Sequence, residues 1–210
     1  MKKTARKVLL MACSALLLVC MTVGATVAYL TSTTGPVTNT FTVGKVQITL
    51  DEADVNEYGE AIANAERVTE NQYKLIPGHE YVKDPTIHVK ALSESAYLFV
   101  TVDNGIVEIE AATTIDDQMK ANGWTLVEGY NNFYSHAAVA GADTEGAADV
   151  DVPVFGTFTL TDDAEVKDYA SAKIEIKACA VQKDGLEFAD AADIAAEKLG
   201  ATKTPADPAA

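Results

Sequence analysis

Cysteine is scarce: of 210 residues only Cys13, Cys20 and Cys179 carry a thiol, and the first two lie in an apolar run near the start. A disulfide scaffold is therefore excluded, and Cys179 is left with no intramolecular partner once that run is removed. Positive charge is also short, with 16 Lys and Arg against 31 Asp and Glu and a formal net charge of −15. That balance argues against nucleic acid or an anionic membrane as partner, because both reward clustered cations. Aromatics make up only 7% of the chain, with a single Trp, against 48% hydrophobic residues in all, a globular composition. No G-x-S-x-G, phosphate-binding loop or dinucleotide fingerprint is present, nor a C-terminal L-P-x-T-G sorting motif.

What is present begins with a leader. Lys2, Lys3, Arg6 and Lys7 precede an uncharged stretch, residues 8–30, which ends in the small-residue run Gly24-Ala25-Thr26-Val27-Ala28. Residues 1–28 read as a secretory signal peptide cut between Ala28 and Tyr29. The alternative is an uncleaved anchor, since a run of this length can span a bilayer. Cleavage removes four positive charges and no negative one, taking the formal charge from −15 to −19. In the exported chain Cys179 is either a small apolar filler on a strand or the site of an intermolecular bridge.

Residues 29–42 form a polar, uncharged, Thr-rich arm with a Gly35-Pro36 break. Such an arm has no apolar face of its own, and it gains backbone hydrogen bonds by adding to an exposed sheet edge. Its other reading is a spacer left by signal cleavage. Residues 43–200 carry the period-2 alternation of strands. Phe41 and Val43, then Val46, Ile48 and Leu50, alternate with polar residues, with a bulge expected at Gly44. Residues 51–72 are acidic and aperiodic, a surface excursion. Pro77-Gly78 predicts a type II turn, and Ile87, Val89 and Ala91 a second strand. Tyr97 to Val102 is apolar on both parities, which predicts a central strand covered on both faces.

Ile115 and Met119, followed by Gly123, predict a short helix. Trp124-Thr125-Leu126 and Phe133-Tyr134 predict a hairpin, and Val152, Val154, Phe158 and Leu160 one strand interrupted at Gly156. From Ala172 to Ala180, Ile174, Ile176, Ala178 and Ala180 share one face, with Lys173, Glu175, Lys177 and Cys179 on the other. Phe188, Ala191, Ala192, Ala195 and Leu199 trace an amphipathic helix stopped by Gly200. Residues 201–210, with two prolines, read as a disordered tail. The sum predicts an all-β fold, an antiparallel β-sandwich with short peripheral helices.

Several of these features in this order resemble the TasA/camelysin family of secreted Gram-positive matrix proteins, whose signals are processed by a SipW-type peptidase. They are the leader ending Ala25-Thr26-Val27-Ala28-Tyr29-Leu30-Thr31, and the strand Phe41-Thr42-Val43-Gly44-Lys45-Val46-Gln47-Ile48-Thr49-Leu50. Leu75-Ile76-Pro77-Gly78 with the later Ser95-Ala96-Tyr97-Leu98, and the last strand around Ile176-Lys177-Ala178-Cys179-Ala180-Val181-Gln182, complete the set. Residues 106–170 match only loosely. The resemblance implies a jelly-roll sandwich and a biofilm-matrix fibre subunit, in which the arm of one subunit completes the sheet of its neighbour. Carried over, the candidate donor strand runs from Tyr29 to Thr40 and includes Leu30, Thr31, Val37 and Thr38. Pro36 departs from the pattern by removing one backbone donor.

Some camelysin-like proteins are classed as metallopeptidases, so zinc ligands matter. His79-Glu80 opens H-E-x-x-H, but Lys83 stands where the second histidine is needed, and His88 and His136 show no ligand spacing. Calcium is the better candidate. Asp51 and Asp54 belong to one acidic loop cluster, and Asp143, Glu145, Asp149 and Asp151 to another, although neither follows the D-x-[DN]-x-[DN]-G loop. The alternative reading is a solubilising surface.

The expectation is thus a secreted structural protein without catalytic residues, its principal partner other copies of itself. A SipW-type peptidase acts during export, an assembly or anchoring protein is a further expected partner, and membrane contact is confined to the uncleaved signal. The rival readings are a camelysin-type metallopeptidase and a monomeric cell-surface adhesion module that binds through loops 51–72 and 141–149.

Overall fold

The computed structural model describes residues 31–34, 38–39 and 46–204. The leader, the predicted cleavage site at Ala28 and Tyr29, the start of the Phe41 strand with its Gly44 bulge, and residues 205–210 lie outside the described residues. Strands β1 (Thr31–Thr34), β2 (Thr38–Asn39), β3 (Ile48–Asp51), β4 (Glu80–Val82), β5 (Thr86–Val89) and β6 (Ala96–Asn104) come first. Helix α1 (Ile115–Ala121), then β7 (Thr125–Leu126), β8 (Phe133–Val139), β9 (Val150–Pro153), β10 (Thr157–Thr159), β11 (Ile174–Gln182) and helix α2 (Phe188–Leu199) follow. Every strand pair is antiparallel.

The chain is an all-β sandwich. A six-stranded sheet in the order β2-β1-β11-β6-β8-β7 faces a three-stranded sheet, β3-β5-β9, and the pair β10-β4. Between them lies the main core, in which Leu98, Val100, Ala178 and Ala180 from the large sheet meet Ile48, Ile87, Val89 and Val152 from the small one. The other face of the large sheet carries Phe99, Phe133, Cys179 and Val181 and is closed by Ala191, Ala192, Ala195, Ala196 and Leu199 of α2. This explains the double-parity run at Tyr97 to Val102: β6 lies between β11 and β8, with the sandwich core on one side and a helix on the other. Cys179 is completely buried in that second layer.

Helix α1 is held at its start by a capping box, with Thr114 and Asp117 exchanging side-chain and backbone hydrogen bonds. It also accounts for a break the periodicity does not reveal. Val152 to Leu160 reads as one interrupted strand, yet β9 pairs with β5 and β10 with β4. Gln118 of α1 bridges the interruption: its Oε1 accepts the N–H groups of Gly156 and Thr157, and its Nε2 donates to the Thr157 carbonyl. These bonds satisfy the backbone where the ladder changes sheets. Strand β4 is too short to show a period, and Pro77-Gly78 obscures it. Its central residue Tyr81 is nonetheless fully buried and stacks on Phe158 of β10, ring centroids 4.7 Å apart. Residues 201–204 lie against the loop before β8, with Tyr130 bridged to Lys203 and the Asn131 N–H donating to the Thr202 carbonyl.

Candidate functional site

The candidate site is an edge of backbone. Strand β11 pairs along all nine of its residues with β6, from Ile174 opposite Asn104 to Gln182 opposite Ala96. On its other side β1 covers only Val181 to Ala178, from Thr31 opposite Val181 to Thr34 opposite Ala178. The chain then folds back, and β2 pairs with β1. Gly35-Pro36 stands between the two strands in sequence, outside the described residues. Of the candidate donor residues, Thr31 stands in β1 and Thr38 in β2, while Tyr29, Leu30, Val37 and Thr40 lie outside the described residues.

Ile174 to Lys177 have no strand partner on this side among the described residues. Four residues of extended chain present about 13 Å of unpaired edge, a template for another strand. Beside it opens a cavity of about 310 Å³ lined by Leu50, Val68, Pro85, Ile174 and Ile176, with Lys83 and Glu52 at its polar side. The opposite wall belongs to the acidic excursion at 51–72, which proves to be a built element. Glu52 bridges to Val68 in an isolated ladder step and Val55 to Ala61. The Arg67 guanidinium bonds Asp51 and also reaches Asp84 Oδ2 at 2.9 Å. Glu52 is buried, its Oε2 accepting from Lys83 Nζ at 2.6 Å and its Oε1 from Asn71 Nδ2 at 2.9 Å. Spacing gives no signal for this ion pair, because its members lie 31 positions apart.

No family model matches the chain, and no curated protein or solved structure matches it closely.

Strand pairing brings the two acidic clusters to either side of β5. Asp51 of β3 and Asp151 of β9 flank His88, whose Nε2 lies 2.8 Å from Asp51 Oδ1 and whose Nδ1 lies 2.6 Å from Asp151 Oδ1. Asp149 accepts from Lys90 Nζ at 2.7 Å. These carboxylates face His88 of β5 and Lys90 just after it, and no group of three or more His, Cys, Asp or Glu able to hold a metal ion is found among the described residues. The side chains of Asp54, Asp143 and Glu145 take part in no ion pair there. His79 Nε2 donates to the Tyr58 carbonyl at 2.8 Å, and His136 Nδ1 lies 3.0 Å from the Ala137 carbonyl. Each of the three imidazoles thus meets a different set of neighbours.

Proposed function

We propose that this chain is a secreted structural protein that forms extracellular fibres by β-strand addition between subunits. The observation that carries the reading is the incomplete edge of β11: the chain's own arm pairs with part of it and, among the described residues, leaves Ile174 to Lys177 without a strand partner on the side away from β6. Within one chain the arm occupies the place a neighbour's arm would take. If the arm continues in the register of β1, Val37 falls opposite Glu175 and Thr38 opposite Ile174, extending the ladder into the open stretch. The resemblance to the TasA/camelysin family agrees with this reading and adds the jelly-roll strand order, cleavage by a SipW-type peptidase and a biofilm-matrix setting. A formal charge of −15 for the whole chain keeps subunits apart until backbone pairing engages.

The test is negative-stain electron microscopy of chains beginning at residue 29 and at residue 43, concentrated at neutral and mildly acidic pH. Fibres from the longer chain alone are expected. Fibres from both would remove the arm from the mechanism, and fibres from neither would refute self-assembly of the isolated protein.

A further inference from the structure

A second cavity, of about 420 Å³, adjoins the start of β11 at Lys173 and Ile174. Its body is apolar and aromatic, formed by Tyr73, Ile106, Phe158, Val166, Tyr169 and Ile174. Tyr73 meets Phe158 edge to face at 5.2 Å between centroids. The charge of its lining departs from that of the chain. Lys83, Lys167 and Lys173 reach this cavity and no Asp or Glu does, in a protein with 31 acidic and 16 basic residues. The neighbouring cavity at Ile176 shares Lys83 and Lys173 with this one but adds Asp51, Glu52, Glu70 and Glu175, and a third is lined by Glu108, Asp163, Glu165 and Asp168.

The three lysines are not equivalent. Lys83 is neutralised by Glu52 and belongs to the wall. Lys167 pairs with Glu165 at 3.1 Å, but both side chains are about three-quarters exposed, a pair worth little in water. Lys173 makes no ion pair among the described residues and stands at the mouth. An apolar cavity of this volume, with one paired lysine in its wall and two exposed lysines at its edge, matches the general make-up of a small-molecule site.

We infer that this cavity binds an amphipathic organic anion, with a hydrocarbon or aromatic body against Tyr73, Phe158 and Ile174 and a carboxylate or phosphate at Lys173 and Lys167. The site shares Ile174 with the proposed strand edge, at the end of β11 away from the segment that β1 covers, and does not depend on fibre formation.

The test is an amide chemical-shift titration of the ¹⁵N-labelled full chain with sodium decanoate below its micelle concentration, and in parallel with decyltrimethylammonium. Saturable shifts at Tyr73 and across residues 166–173 with decanoate, and none with the cation, are expected. Lys173→Glu, at an exposed position that leaves the fold intact, weakens decanoate binding about tenfold. Lys183→Glu, remote from the cavity, leaves it unchanged. No saturable shift at those amides, equal affinity for the two surfactants, or unaltered binding in Lys173→Glu would each overturn the assignment.

Discussion

Lys83 Nζ lies 2.6 Å from Glu52 Oε2 with both residues nearly shut away from water, 8% and 5% exposed. Lys83 lines both cavities beside β11, so this pair joins the 51–72 excursion to the wall of the sandwich. Removing one partner leaves an unpaired charge in a site from which water is excluded. Lys83→Met alone or Glu52→Leu alone is expected to cost about 3–5 kcal/mol, and the double variant to recover most of that loss. Urea unfolding of all four proteins closes the cycle, and an additive double variant would show that the pair is not coupled.

Glycine at two positions answers different needs. Gly200 ends α2 at φ 70° with open space around it, so Gly200→Ala carries only the conformational penalty, about 1 kcal/mol. Gly59 has φ 75°, and a Cβ there would come within 2.6 Å of the Tyr81 ring and 2.9 Å of its Cα. Gly59 also accepts the Val82 N–H through its carbonyl, which ties the excursion to β4. Gly59→Ala is expected to cost about 2–4 kcal/mol, the steric term adding to the backbone one. Thermal melts of the two variants side by side test the ranking.

Burial pushes the Cys179 thiol up to about 12, with Lys198 opposing the shift only in part. The folded chain therefore holds the proton, and forming the thiolate at pH 8 works against folding. With Cys13 and Cys20 replaced by serine, native protein should be inert to a thiol-exchange reagent at pH 8 and react fully once unfolded in urea. Because the folded state binds this proton more tightly, the stability it contributes is lost as pH rises from the ordinary thiol range toward 12. Rapid reaction of folded protein would rule out the buried placement and reopen an intermolecular bridge.

The pairing of β1 with β11 makes a local prediction. Deleting residues 31–39 should lower amide protection within Ala178 to Val181 while leaving Leu98 and Val100 of β6 protected, because the β6–β11 ladder does not involve the arm. Hydrogen exchange followed by mass spectrometry reads both segments in one experiment. Unchanged protection at 178–181 would count against the edge as the arm's binding site.

Much of this architecture was legible in residue order. Alternation at Ile174, Ile176, Ala178 and Ala180 places those side chains on the sandwich core, and the double-parity run at Tyr97 to Val102 marks the strand covered on both faces. The spacing Phe188, Ala191, Ala192, Ala195 and Leu199, with Gly200 after it, defines α2 to the residue. These are local properties: a period of 2 or 3.6 records which side chains share a face, and a glycine stop records a backbone angle. The tertiary structure alone decided which strands are neighbours. Any strand offers the same N–H and C=O groups, so periodicity could not send β9 and β10 to different partners, reveal β4, or select the side of β11 that the arm takes. It alone also decided the fate of the charges. Glu52, in a segment that reads as solvated surface, is buried because Lys83 arrives from another strand to meet it. Asp51 and Asp151 face His88 because β3 and β9 flank β5. Coulombic and hydrogen-bonded partners are chosen by distance in space, and distance along the chain carries no trace of it.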